Sequence, residues 1–343
     1  MRAFFGARPE LAPTPARALP GLAGDLGVAT LVAKDESARF GLNAFKLLGA
    51  RFTIETLLAG GGLRRGATVA CASEGNHGRA VARAAREAGC AARVYMAHDA
   101  APARADAIAG EGAEVIRVNG SYDDAVRVLQ SDAAQHGFMI ISDTAWSGYE
   151  RIPFLIMLGY TRMLDEMWSH PFDALFVQGG VGGLLCAMAS WCAFHRPDCK
   201  VISVEPASAA CLKASAEAGH PVTVTGALNT SMAGLRNREV SPPAFMSLLP
   251  NVDHFMAIED VWAHDAMRAL AHPIAGDSPI AAGASGAAAL GGAMALCRDA
   301  SMTAFKRHLG LGSGTRVLAI VSEGVTDPDH WARVTADKGH GSV

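Results

Sequence analysis

The chain has 343 residues, half of them apolar and only 6% aromatic, and its 30 basic and 33 acidic residues leave a formal net charge of −3. That length suits one large core or two domains sharing a cleft, and the near-balanced charge gives no sign of a nucleic-acid or membrane surface. Seven scattered cysteines point to reduced thiols rather than a disulfide framework. No apolar run is long enough for a signal-peptide core or a membrane span, so a cytoplasmic protein is expected.

Along the chain the first marked stretch is "FGLNAFKLLGAR", residues 40 to 51, where Lys46 stands among Phe45, Leu47 and Leu48. A lysine there either carries its cation to the surface along an apolar stem or has chemical work. From residue 67 short β-type runs alternate with helical patterns. "ATVACAS" leads to "GNHGRAVARAAREAG", "AARVYMA" to "APARADAIAGEG", "AEVIRVN" to "SYDDAVRVLQSDAAQHG", and "FMIISD" ends the series. This alternation predicts a small parallel α/β domain. A second series opens near residue 153 with the helix "PFLIMLGYTRMLDEMW". It continues through "ALFVQGG", "GGLLCAMASWCAFHR", "VISVEP" and "ASAACLKASAEAG", and closes with the strand "RVLAIVSEG". Between residues 229 and 255 the pattern is less regular, with Pro242 and Pro243 adjacent, and loops are expected. Cys192, His195 and Cys199 have metal-like spacing but no fourth ligand, and Pro197 ends their helix, so packing accounts for them better than zinc does.

Two strand-to-helix turns carry chemistry. "VQGGVGGLL" sets Gly179, Gly180, Gly182 and Gly183 around Val181, where bare N–H groups at a helix start suit a phosphate. The dinucleotide pattern fails there, because Leu185 occupies the third glycine position. "CASEGNHGRAV" offers Ser73, Gly75, Asn76 and Gly78 to a carboxylate, with Glu74 as a possible base, although Ser73 also reads simply as a helix cap. A lysine in apolar surroundings, a phosphate cradle and a carboxylate loop together suit a phosphate-bearing aldehyde, since a desolvated lysine forms imines with carbonyls.

The ordered set "KDESARFGLNAFKLLG", "SEGNHGRAVA", "DTAWSGYERIP", "QGGVGGL", "VEP", "TSMAGL" and "SEGVTDP" resembles the tryptophan-synthase-β-like, fold-type II pyridoxal-phosphate enzymes, and within them the diaminopropionate ammonia-lyase subgroup. The resemblance implies two α/β domains, each a mainly parallel sheet flanked by helices, with the cofactor in the cleft between them. It divides the chain into a large cofactor-binding domain, 1–46 with 148–343, and a small one, 47–147. Lys46 would be the Schiff-base lysine and Asn76 would meet the ring's O3′. Residues 73–78 would hold the substrate carboxylate, 179–183 the phosphate, and Ser322 the pyridine nitrogen.

By the same resemblance the reaction is α,β-elimination, of 2,3-diaminopropionate to pyruvate and ammonia, in a homodimer. Its rivals are a dehydratase of serine, threonine or hydroxy-aspartate, and a non-catalytic binding protein of the same fold. The family's paired aspartates, each linked to one substrate enantiomer, correspond here to Asp143 in "DTAW" and to Glu74, a glutamate. Further departures are Ala284 in "AGASGAA", where the family has an acidic residue, the sequence "MAGLRNREV", and a shorter stretch between the lysine and the G-N-H-G loop.

Overall fold

A computed structural model describes residues 1–274 and 276–336. Among them ten strands run in chain order: β1 Ala16–Ala18, β2 Thr30–Asp35, β3 Thr68–Ala72, β4 Ala91–Ala97, β5 Glu114–Val118, β6 Met139–Ile140, β7 Ala174–Gln178, β8 Lys200–Pro206, β9 His254–Ile258 and β10 Arg316–Val321. They form two sheets, one in each of two compact units. The smaller unit comprises Met1–Pro9 and Phe45–Arg162, the larger Glu10–Ala44 and the chain from Met163 onward.

The smaller unit holds an all-parallel sheet in the order β5-β4-β3-β6. Val69, Ala70 and Cys71 in β3 and Val94 to Ala97 in β4 are buried in unbroken runs, as expected of parallel strands covered on both faces. The helix Tyr122–His136 starts on a capping box, Ser121 and Asp124 bonding reciprocally, and ends at Gly137 with φ 71°. Its Asp132 accepts a 2.7 Å hydrogen bond from the Tyr95 hydroxyl, so the one polar atom of this buried ring is satisfied.

Two glycines set the contact between the helices Leu47–Ala59 and Arg151–Tyr160. A Cβ on Gly159 would stand 2.7 Å from the Leu48 carbonyl oxygen, and one on Gly49 would stand 2.6 Å from Tyr160 Cε1. This contact groups residues 148–162 and Lys46 with the smaller sheet, whereas the motif-based division assigned them to the larger domain. The helix expected to continue from residue 153 to 168 instead breaks at Thr161. Its hydroxyl turns back to the Leu158 carbonyl at 2.6 Å, and a short helix, Arg162–Asp165, follows.

In the larger unit the sheet order is β1-β2-β10-β7-β8-β9, with β1 antiparallel at one edge and every other pair parallel. The helix Ala284–Arg298 is buried from Ala284 to Leu296, and its small residues admit close neighbours. A Cβ on Gly291 would lie 2.7 Å from the Trp262 carbonyl oxygen. Pro242 and Pro243, expected in a loop, begin the helix Pro242–Leu248, where a missing N–H costs nothing in the first turn.

The "KDESARFG" stretch builds a buried ionic network in this unit. Lys34 Nζ donates to Glu166 Oε2 at 2.5 Å and to the carbonyl and hydroxyl of Thr14 at 2.7 Å each. Arg39 pairs with Glu36 and, at 2.6 Å, with Glu166, and the Thr14 hydroxyl donates to Glu36 at 2.6 Å. The four charged side chains are at most 1% exposed, and their two cations and two anions cancel. Burial pulls the Lys34 amine below its ordinary value, against the opposing pull of Glu36 and Glu166.

Candidate active site

The chemistry-bearing side chains of the smaller unit gather at the carboxyl ends of the neighbouring strands β3 and β6, the edge where open α/β sheets bind ligands. Lys46 is the N-cap of the helix Leu47–Ala59, and its Nζ donates to Asp143 Oδ2 at 2.5 Å. The pair is neither sealed nor free, with side chains 24% and 20% exposed. The rings of Phe45 and Tyr160 have their centroids 5.1 and 5.7 Å from the ammonium. Burial works against the charged amine, but Asp143 and Tyr160 outweigh it and hold the Lys46 pKa above the ordinary lysine range.

Asp143 lies in the loop that follows β6, and that loop is braced by its own motif. The Tyr149 hydroxyl accepts from the Ser142 N–H and donates to the Ile140 carbonyl, both at 2.8 Å, while Trp146 stacks on Tyr149 at 4.0 Å. The aromatic letters of "DTAWSGY" thus fix the carboxylate. Burial would raise the Asp143 pKa, but His77 and Lys46 prevail and hold it well below the usual carboxylate range. His77 donates from Nε2 to the Ile141 carbonyl at 2.8 Å, which leaves Nδ1 3.6 Å from Asp143 without a hydrogen bond. Burial lowers the pKa of this histidine, against the opposing pull of Asp143, and so favours the neutral ring.

The "SEGNHG" turn sits after β3. Ser73 Oγ accepts from Gly78 N at 3.0 Å and Gly75 N at 3.3 Å, satisfying a first-turn amide although the N-cap itself is Gly75, and its O–H remains available to donate outward. Gly78 allows this closeness, since a Cβ there would lie 3.1 Å from Ile108 and Val94 and 3.3 Å from Ser73. Asn76 opens the helix Asn76–Glu87, and Glu74 is half-buried beside it. Two tyrosines of this neighbourhood were not legible in the sequence. Tyr122 has its phenol pKa raised by burial and then by Asp143, Cys71, Asp123 and Glu74, and its hydroxyl reaches the Ala72 carbonyl at 3.3 Å. Tyr160 read as one more apolar residue of its helix.

The larger unit carries the glycine turn. Gly180 and Gly182 have φ of 64° and 98°, which other residues rarely adopt, and Gly182 caps the helix Gly183–His195. The amides of Gly180 and Val181 donate to no described residue. Behind the turn Glu205 is fully buried. A Cβ on Gly179 would lie 2.4 Å from its Cγ, and its carboxylate accepts from Leu212 N at 2.9 Å and Lys213 N at 2.8 Å. Burial pushes the Glu205 pKa up to about 7 against the opposing pull of those two amides. Ser322, 5% exposed, follows the end of β10. A turn held open by left-handed glycines with free amides fits a phosphate, and a hydroxyl at a strand end fits a neutral ring nitrogen. Cys192 and Cys199 are buried, and His195 packs between Trp168 and Trp191 with centroids 5.2 and 4.8 Å away. Among the described residues no cluster of ligating side chains is placed to hold a metal ion.

Residues 7–323 match the family described as pyridoxal-phosphate dependent enzyme. The chain is 36% identical to diaminopropionate ammonia-lyase of Escherichia coli K12, over 96% of its own length and 88% of that enzyme. It is similar to the crystal structure of the holo form of the E. coli enzyme, with a TM-score of 0.90 at 34% identity, covering 98% of this chain and 91% of that one. It is similar as well to the same enzyme in complex with an aminoacrylate–cofactor azomethine intermediate, with a TM-score of 0.89 at 34% identity and the same coverage.

Proposed function

The chain belongs to the pyridoxal-phosphate-dependent enzymes, and from that premise we propose that it is an ammonia-lyase that eliminates ammonia from 2,3-diaminopropionate, the released aminoacrylate then consuming one water to give pyruvate and a second ammonia. The observation that carries the reading is the Lys46–Asp143 pair, an amine held at 2.5 Å by a carboxylate on a braced loop. Bound through Lys46, pyridoxal phosphate would supply an electron sink for negative charge at a substrate α-carbon. Gly179, Gly180, Val181, Gly182 and Gly183 would bind the phosphate, Ser322 the ring nitrogen and Asn76 the ring oxygen. Ser73, Gly75, His77 and Gly78 would orient the substrate carboxylate.

Asp143 and Glu74 would take the α-proton from opposite faces, each as a carboxylate acting at that carbon. Asp143 is suited to the work because its neighbours keep it ionised, and because a proton it takes can pass to Lys46 Nζ, 2.5 Å away, without movement of either group. Purified protein supplied with D- and L-diaminopropionate, serine and threonine should yield 2-oxo acid fastest from diaminopropionate, with two ammonia per pyruvate. One ammonia per 2-oxo acid and a preference for serine or threonine would make it a dehydratase instead.

We further infer a homodimer, as the family motifs imply, to be checked by sedimentation. A cytoplasmic location is also proposed, to be checked by cell fractionation. Among the described residues no helix is long and apolar enough to cross a membrane.

A further inference from the structure

Tyr160 closes the helix Arg151–Tyr160 and is 1% exposed. Its ring meets Phe45 edge-on at 4.8 Å, and the absence of a Cβ at Gly49 lets it lie flush on the helix Leu47–Ala59. Packing therefore fixes the ring without help from its oxygen. Yet the hydroxyl is enclosed and makes no hydrogen bond of ordinary geometry to any described residue, although it lies near enough to Lys46 for the two to interact. A phenylalanine would fill the same space without the cost of a buried, unpaired hydroxyl, so the oxygen calls for a separate account. The nearby cation is Lys46, whose Nζ is 5.7 Å from the ring centre while drawn to Asp143 at 2.5 Å. Of the titratable groups around Asp143, Tyr122, Tyr149 and Cys71 are held neutral by burial, and His77 uses Nε2 on the Ile141 carbonyl and faces Asp143 with Nδ1.

Resting on the role given to Lys46 above, we infer that Tyr160 is a positioning residue for that lysine, its phenol oxygen being a second station for the amine when Asp143 does not hold it. An ammonium has three donors and the phenol oxygen can accept one of them, so both stations bind the charged amine more strongly than the neutral one. Tyr160 thereby adds to the proton affinity that Asp143 gives Lys46, and each group perturbs the other's ionisation.

The test reads the lysine without the cofactor. Apo-protein is labelled with trinitrobenzenesulfonate at fixed alkaline pH, and the Lys46 peptide is quantified by mass spectrometry, because only the neutral amine reacts. Tyr160→Phe keeps the packing and removes one charge-assisted hydrogen bond. It should lower the amine's midpoint by about one pH unit and speed labelling about tenfold. Site-specific 3-fluorotyrosine at position 160, a poorer acceptor of nearly the same shape, should move the rate the same way by less, and it serves if the phenylalanine variant does not fold. A labelling rate equal to wild type in both variants overturns the inference, and a change seen only in Tyr160→Leu reduces the residue to packing. The proposed function fails separately: pyridoxal phosphate added to the wild type would then give no lysine-linked absorbance band, whatever the labelling shows.

Discussion

Replacing Glu166 by glutamine would test what the "KDESARFG" network contributes. The side chain is 1% exposed and sits between Lys34 at 2.5 Å and Arg39 at 2.6 Å. The substitution preserves shape but leaves two buried cations facing Glu36 alone. Breaking a buried pair by removing one partner costs about 3–5 kcal/mol, because the surviving charge stays desolvated. For a domain of roughly 200 residues that is a fall in Tm of about 10 °C, at about 2–4 °C per kcal/mol. The pair Lys34→Met with Glu166→Leu removes matched charges and should recover more than half of the loss.

The same carboxylate gives a pH signature. Burial would raise its pKa, but Arg39 and Lys34 hold it below its ordinary value. Its contribution is thus complete above about pH 4.3 and lost as pH falls through the lower folded value, and Glu166→Gln should lack that acid limb. Scanning calorimetry from neutral to acid pH measures both effects. A glutamine variant that melts with wild type at neutral pH, or a double variant that loses the sum of the two singles, would refute the reasoning.

Asp143→Asn should suppress turnover of L-diaminopropionate and Glu74→Gln that of the D-enantiomer, each by about 10²–10⁴, in assays of 2-oxo acid release. Equal losses for both enantiomers in both variants would reject the two-base assignment. Gly182→Val, forced to φ 98° with a Cβ 3.1 Å from Leu248, should weaken pyridoxal phosphate binding by at least about tenfold in a cofactor titration. Pyridoxal, which lacks the phosphate, should be far less affected. Glu205, with its pKa near 7, keeps its proton in the folded state longer than in the unfolded one. Stability should therefore decline as pH rises from about 4.3 to about 7, by up to about 4 kcal/mol, and Glu205→Gln should flatten that slope in urea midpoints taken at about pH 5 and about pH 8.

The sequence made the alternating strands and helices of the smaller unit readable because each parallel strand is a short apolar run bounded by glycine or polar turns, as in "ATVACAS" and "AARVYMA". The helix Ala284–Arg298 escaped notice, since a helix buried all round shows no amphipathic period. In the candidate site, Lys46 and the two glycine turns announced themselves by residue type. The 2.5 Å pairing of Lys46 with Asp143 spans 97 residues of sequence, and no local spacing could reveal it. Motif resemblance joined those residues in one family, but the bracing by Tyr149 and Trp146, the enclosed Tyr160 hydroxyl and the structural duty of "KDESARFG" emerge only from three-dimensional contacts.

The glycine contact between the helices Leu47–Ala59 and Arg151–Tyr160 links the two halves of that pairing mechanically, for one helix begins at Lys46 and the other follows the Asp143 loop. The closeness of amine to carboxylate is therefore calibrated by backbone against backbone at Gly159, and at Gly49 by backbone against the packed side chains of Tyr160 and Ile156. A saturation scan of catalytic fitness should consequently rank Gly49 and Gly159 alongside residues that touch the reactant, although neither has a side chain with which to do so. In such a scan, intolerance to substitution would map the tooling that aligns the chemistry as well as the chemistry itself.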